Sequence, residues 1–146
     1  MSDGCEPRPL AIDSCDDLAE LWTACGLTRP WNDPVRDARA AIEGATSVVL
    51  GVREGEEGRL IASAMVGFDG HRGWVYYLAV APDRQRAGLG RRMMAAAEQW
   101  LRAQGVPKIQ LMVREDNHAA IGFYEALGLA RQPVVTLGRF LDEKAP

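Results

Sequence analysis

Apolar and polar side chains follow two different periods along this chain, and each period predicts a different kind of element. The helical period comes first, with apolar residues recurring at Leu18, Leu21, Trp22 and Cys25. We expect Ser14 to cap this helix at its start and Gly26 to end it. Residues 1–8 predict a loose N-terminal end, leading into a first strand over residues 8–12. A second short helix is expected after Asp33, with Pro34 as its first residue and Gly44 at its end.

Three β-rich stretches follow, separated by polar turns that contain glycine. The stretches are residues 47–53, 60–68 and 74–80, and the turns are 54–58 and 69–73. Two hairpins in succession predict an antiparallel meander. A lone histidine in a turn is usually solvated, so His71 is not read as catalytic.

The helical period returns after residue 80. The pattern predicts a helix at 88–104, a strand at 108–113, a helix at 117–127 and a last strand at 134–141, with room for a short strand at 129–132. Strands 74–80 and 108–113 are joined by a helix, which predicts a right-handed crossover and a parallel pair. The expected fold class is therefore α/β (α+β), with a mixed, mostly antiparallel sheet, a central parallel pair and flanking helices.

Length and charge narrow the class of protein. A chain of 146 residues predicts a single domain over 1–146. No apolar run approaches the ~18 residues of a membrane span, and the N-terminus lacks the apolar stretch of a signal peptide. The net charge of −3 argues against a nucleic-acid surface. We expect a cytoplasmic protein with no nucleic-acid or membrane partner.

The cysteines and histidines predict neither a disulfide nor a metal site. Cys5, Cys15 and Cys25 are odd in number, and Cys15 and Cys25 are expected at opposite ends of one helix. His71 and His118 are the only histidines, and no pair of these residues has the spacing of metal ligands.

The most informative stretch is the passage from a strand into a helix at residues 78–92. The helix opens with Gly88 and Gly90, and the first N–H groups of a helix lack internal partners, so they can bind an anion. Positive charge is supplied by Arg84, Arg86, Arg91 and Arg92. A helix with a solvated, arginine-rich first turn is the alternative interpretation.

Two other phosphate-binding loops are excluded by the residues present. A P-loop requires Gly-Lys-Ser/Thr, which is absent. A dinucleotide fingerprint requires a third small residue, where Met93 stands, and an acidic residue about 20 positions later, near Gln110.

Two motifs identify a resemblance to a known family. Gln85-Arg86-Ala87-Gly88-Leu89-Gly90 resembles the acetyl-CoA loop of the GNAT superfamily, Arg/Gln-x-x-Gly-x-Gly/Ala. Asn117 to Gly128 is similar to the later family motif, Asn-x-x-Ala-x-x-Phe-Tyr-x-x-x-Gly. The element order also resembles that of the family over nearly the whole chain. Within the family, segments 27–34, 69–73 and 76–78 look most like the YpeA-type branch.

The resemblance implies an acetyl-CoA site with assigned residues. N–H groups from Arg86 to Arg91 should hold the pyrophosphate, and the backbone of Leu78 and Val80 should pair with the pantetheine arm. An N–H of that strand, assigned to Leu78, should polarise the thioester carbonyl. The implied coenzyme-binding set is Leu78, Val80, Gln85, Arg86, Ala87, Gly88, Leu89, Gly90, Arg91, Asn117 and Tyr124.

Tyr124 and Asn117 each have two interpretations. The resemblance implies that Tyr124 is the general acid that protonates the departing CoA thiolate. A tyrosine on an apolar helical face is otherwise a core residue, as we read Phe123. Asn117 should bond the pantetheine arm, although helix capping alone would explain an asparagine there.

The remaining candidate residues concern the binding and deprotonation of the amine acceptor. Trp31, Asn32 and Asp33 are the candidate substrate-binding residues, with a structural Pro-Trp turn as the alternative. The general base is left open between Glu115, Asp116 and a water chain.

The resemblance implies an N-acetyltransferase that uses acetyl-CoA as acyl donor and no metal. A primary amine, on a small molecule or a peptide, would attack directly in a ternary complex. The alternative is a non-catalytic regulator that binds acyl-CoA, and a homodimer is left open.

Overall fold

The computed structural model describes residues 6–142, in which helices and strands follow the predicted order as far as residue 126. The helices of this part are Cys15–Ala24 (α1), Pro34–Glu43 (α2), Leu89–Ala103 (α3) and His118–Ala126 (α4). The strands of the same part are Arg8–Pro9 (β1), Ser47–Arg53 (β2), Leu60–Phe68 (β3), Gly73–Val80 (β4) and Ile109–Gln110 (β5).

The chain forms two compact units, one ending at Leu111 and the other starting at Met112. The first contains the sheet with α1, α2 and α3, and the second contains α4. The single domain over 1–146 stays a prediction.

The sheet has the order β1-β2-β3-β4-β5. Strands β1 to β4 pair antiparallel, whereas β5 pairs parallel to β4 after the crossover through α3. The predicted meander and the predicted parallel pair are therefore both confirmed.

Both faces of the sheet are covered. Consecutive residues are buried in β2 and β3, which requires packing on each side of the strands. Helix α1 supplies Leu18 and Trp22, α2 supplies Ala38, and α3 supplies Met93 and Met94, all fully or almost fully buried. The core of the first unit therefore lies on both faces of the central strands β2 and β3.

Several helix ends match the local signals in the sequence. The Asp33 carboxylate accepts hydrogen bonds from the N–H groups of Val35 and Arg36, and Pro34 opens α2. Gly26 adopts a left-handed φ of 70° just after α1. These boundaries are confirmed because each depends on contacts within about four residues.

The start of the chain differs from the prediction. Of the expected strand 8–12, only Arg8 and Pro9 form a strand, although the Leu10 N–H also donates to the Val49 carbonyl of β2. Arg8 is therefore not part of a loose end, and Ile12–Ser14 forms a short 3₁₀ turn. The Ser14 hydroxyl does not cap α1; it is buried and accepts a hydrogen bond from Arg53 at 2.9 Å. The Ser14 oxygen that would accept from a helix N–H in a local cap instead accepts from the Arg53 guanidinium, 39 positions away. Residues 1–5, including Cys5, lie outside the described part.

The later strands are also shorter than predicted. Of residues 108–113, only Ile109 and Gln110 form a strand, because pairing with β4 ends at Trp74 opposite Gln110. Within the described residues, 129–132 and 134–141 form no strand. The apolar side chains of Val134, Val135 and Leu137 are exposed there. Their β-propensity is high, but a strand also needs a backbone partner.

Candidate functional site

The end of β4 carries an irregularity in its pairing with β3. Ser63 lies opposite Ala79 and Met65 lies opposite Tyr76, so Tyr77 and Leu78 together face the single residue Ala64. Two residues opposite one is a β-bulge. Tyr77 has a left-handed φ of 52°, which side chains other than glycine rarely adopt.

Past Trp74, β4 has one edge without pairing to β5. The Ala81 N–H donates to the Ile61 carbonyl of β3, so by alternation the backbone groups of Val80 point to the other edge. The Val80 carbonyl there accepts from the Cys25 thiol at 3.3 Å and from the Gln85 side-chain amide at 3.1 Å. Leu78, two residues earlier, is half-buried on the same strand. Past Trp74, this edge of β4 has no strand partner among the described residues.

A short exposed loop connects this edge to α3. Residues 82–84 form a 3₁₀ turn, Gln85 folds back onto Val80, and Arg86 and Gly88 have left-handed φ angles of 66° and 84°. Residues 85–88 are exposed, whereas the Leu89 side chain is buried and anchors the first turn of the helix. The structure thus brings the predicted residues Leu78 to Arg91 together in one continuous strand–loop–helix.

The N-terminus of α3 has no side-chain cap. The first N–H groups of the helix, at Leu89, Gly90 and Arg91, cannot bond within it, because the first helical bond runs from Arg92 to the Gly88 carbonyl. A Cβ at Gly88 would have no atom within 4 Å, so its left-handed backbone, and not lack of space, calls for glycine. These donors and the helix dipole are features that favour an anion at the end of the loop.

The charge around the loop is lower than the arginine count suggests. Arg84 forms an ion pair with Glu54, and Arg59 bridges Glu54 and Asp83 at 2.8 and 2.9 Å. Arg59 lowers the pKa of the Asp83 carboxyl. Arg84 is therefore neutralised locally, and Arg86 and Arg91, both exposed, carry the positive charge next to the helix start.

Behind the bulge lies a polar network that the sequence pattern did not reveal. The Trp22 indole N–H donates to the Ser63 hydroxyl at 2.8 Å, and that hydroxyl donates to the Tyr77 carbonyl at 3.0 Å. The Tyr77 ring stacks on Trp22 with centroids 3.8 Å apart, and its hydroxyl donates to the Asp37 carboxylate at 2.8 Å. Burial, followed by the Asp37 bond, raises the pKa of Tyr77 above its usual range. The partners are 14 to 41 positions apart, so no local signal could have found them.

The predicted acceptor residues Trp31, Asn32 and Asp33 lie together in the exposed turn before α2. The Asn32 N–H closes this turn on the Arg29 carbonyl at 3.0 Å. One oxygen of Asp33 is engaged in capping α2. The structural role expected of a turn is thus present, and substrate binding by these residues stays a prediction.

The second unit holds the remaining predicted residues. The Asn117 side chain accepts from the Ala120 N–H at 3.1 Å and so caps α4. Tyr124 lies one turn further on, half-buried, with its ring edge-on to Phe123 at 5.1 Å. Burial raises the pKa of Tyr124 to about 12, which keeps its hydroxyl protonated at neutral pH. Glu115 and Asp116 are exposed in the turn before the helix, as a solvated turn would have them.

The thiols have the environment of packed residues. Cys15 and Cys25, at the two ends of α1, are not disulfide-bonded, and burial raises the pKa of the Cys25 thiol. A protonated thiol is a poor nucleophile, which disfavours a cysteine acyl-enzyme. Among residues 6–142, no cluster of three metal-ligating side chains occurs. No helix in the same range has the length and apolarity needed to cross a membrane.

Comparison with known proteins gives matches over nearly the whole chain. Residues 15–129 match the family model described as the acetyltransferase (GNAT) family. An acetyltransferase of Pectobacterium atrosepticum is 42% identical over 138 residues, covering 94% of this chain and 96% of its own.

Solved structures show the same fold at low sequence identity. An aminoglycoside acetyltransferase from an uncultured soil metagenomic sample, in complex with sisomicin, superposes with a TM-score of 0.78 at 17% identity, covering 94% of this chain and 96% of that chain. An aminoglycoside N-acetyltransferase in complex with CoA also gives a TM-score of 0.78, at 14% identity, covering 94% and 95%.

Proposed function

Because this chain belongs to the GNAT acetyltransferase family, we propose that it transfers the acetyl group of acetyl-CoA to a primary amine within a ternary complex. One observation carries the proposal: an uncapped helix N-terminus, reached through a left-handed glycine, directly follows the open edge of β4. The two features suit the two ends of the coenzyme, a pyrophosphate and an extended amide arm.

The pyrophosphate is bound by the N–H groups at the start of α3, with Arg86 and Arg91 adding positive charge. The pantetheine arm extends β4 along its open edge, at Leu78 and Val80. The Val80 carbonyl already accepts two hydrogen bonds. The arm therefore pairs with the Val80 N–H or displaces the Gln85 amide.

Chemistry follows at the thioester. The neutral amine attacks the carbonyl carbon, and the Leu78 N–H stabilises the developing oxyanion. The intermediate collapses to an amide, the C–S bond breaks, and the thiolate takes a proton from the Tyr124 hydroxyl. The proton released by the amine goes to water or to a carboxylate, Glu115 or Asp116, and a proton from solvent then restores the Tyr124 hydroxyl.

The acceptor class is a small amine or a peptide amine, with Trp31, Asn32 and Asp33 on its side of the site. The metagenomic relative in complex with sisomicin and the family as a whole support an amine acceptor. The YpeA-type branch, the cytoplasmic location, the absence of a metal and a homodimer stay predictions.

The test has two stages. Calorimetric titration with acetyl-CoA should give one site per chain, and no binding would overturn the proposal. A screen of amines, aminoglycosides and peptides should then release CoA thiol only in the presence of an acceptor. Coenzyme binding with no turnover across the screen would favour the alternative function, a non-catalytic acyl-CoA-binding regulator.

A further inference from the structure

The left-handed backbone of Tyr77 needs a cause. An L-residue in this region loses free energy to a clash of its Cβ, and a bulky aromatic residue has no local compensation. Such conformations persist only where the surrounding structure over-determines them. At the corresponding position of many bulges the residue is glycine.

Three contacts fix Tyr77 from three sides. Ser63 holds its carbonyl, Trp22 holds its ring, and Asp37 holds its hydroxyl. Trp22 and Ser63 are fully buried, and the hydrogen bond between them leaves neither polar group unsatisfied. The contacts connect α1, α2 and β3 to one residue of β4.

We propose that Trp22 and Ser63 are positioning residues, which hold Tyr77 in the left-handed bulge so that the next N–H, that of Leu78, points to the open edge of β4. The inference rests on the proposed function, in which this N–H meets the thioester carbonyl. Asp37 completes the arrangement by bonding the Tyr77 hydroxyl. Trp22, Ser63 and Asp37 act through Tyr77 and touch no substrate.

Paired alanine and glycine substitutions at residue 77 separate this role from simple packing. Both remove the ring and its contacts equally, but only glycine accepts a positive φ without strain. Tyr77→Gly should therefore melt about 2 to 4 °C above Tyr77→Ala. Tyr76 is the matched control, because it is the neighbouring residue in regular extended backbone. At this position, the melting temperature of Tyr76→Gly should be lower than that of Tyr76→Ala.

The functional readout compares acetyl-CoA with CoA by calorimetry, since only acetyl-CoA has a carbonyl for the Leu78 N–H. The ratio of the two affinities should fall by about 2- to 10-fold in Tyr77→Ala, the worth of one hydrogen bond. In Tyr77→Gly it should stay within about 2-fold of the wild-type ratio. Ser63→Ala should lower the ratio of acetyl-CoA to CoA affinity when residue 77 is tyrosine. It should have little effect in the Tyr77→Gly variant, whose backbone does not need the contacts with Trp22, Ser63 and Asp37 (the clamp) to hold the bulge.

Each result decides something. An unchanged ratio in Tyr77→Ala and in Ser63→Ala, with wild-type protein binding both ligands, would overturn the positioning role and leave the proposed function standing. Wild-type protein that binds neither ligand would overturn the proposed function and the catalytic purpose of the clamp with it. A higher melting temperature for Tyr77→Ala than for Tyr77→Gly would overturn the clamp in either case.

Discussion

Gly88→Ala is the most direct test of the anion site at the start of α3. The new methyl group has no atom within 4 Å, so the substitution adds no clash. Its whole cost is the left-handed φ of 84°, worth about 1–2 kcal/mol for a residue with a Cβ. Because residues 85–88 are exposed, the loop of the free protein can relax out of this conformation. Coenzyme binding must then restore it, so the affinity for acetyl-CoA should fall by about 5- to 30-fold.

The same helix offers a matched control at its other end. Gly105 also has a left-handed φ, of 76°, and also has no atom within 4 Å of a built Cβ. Gly105→Ala thus has the same backbone cost without touching the loop. We expect it to lower the melting temperature by about 2–8 °C and to leave the affinity unchanged.

The assay is calorimetric titration of both variants with acetyl-CoA, with thermal unfolding measured in parallel. Wild-type affinity in both Gly88→Ala and Gly105→Ala would refute the reasoning, because the loop conformation would then be irrelevant to the pyrophosphate. A loss in both variants would point to general destabilisation of α3 as the cause.

Three further predictions concern chemistry and titration. Tyr124→Phe should lower kcat by about 10- to 1000-fold with unchanged acetyl-CoA affinity, and full activity would remove the hydroxyl from the mechanism. Asp69 accepts hydrogen bonds from the N–H groups of Arg72 and His71, and these bonds lower its pKa to about 2 from the usual 3.8. It therefore contributes stability that is present above pH 3.8 and lost as pH falls through about 2. An NMR titration in which the Asp69 carboxyl chemical shift changes with a pKa near 3.8 would contradict this. Elemental analysis of the purified protein should find no stoichiometric zinc, and one zinc per chain would contradict the cysteine and histidine spacing.

The sequence predicted best those features whose causes lie nearby in the chain. Helix α2 begins at Pro34 as expected, and Asn117 caps α4 as expected, because a helix start is set by residues within about three positions. The start of α3 at the paired glycines and the antiparallel meander were predicted in the same way, from the spacing of apolar residues and from the residues of the turns.

Features that depend on distant partners were missed or mispredicted. Ser14 has the composition of a cap, but Arg53, 39 positions away, takes its hydroxyl. The bulge at Tyr77 depends on Trp22 and Ser63, which no pattern within β4 announces. Residues 134–141 have strand-forming side chains, yet the sequence cannot state whether a backbone partner is present.

The ion pairs beside the loop have a consequence for protein engineering. The tip of the β2–β3 hairpin resembles a tolerant insertion point, being short, polar and exposed. The two residues that flank the tip are nevertheless engaged: Glu54 pairs with Arg84 and Arg59 pairs with Asp83, just before the loop at residues 85–88. Within the tip, a side chain at Gly58 would place its Cβ 1.7 Å from the Glu54 carbonyl oxygen. An insertion at Glu54, Gly58 or Arg59 would transmit strain to the loop that precedes α3. The stretch that tolerates an insertion therefore narrows to residues 55–57.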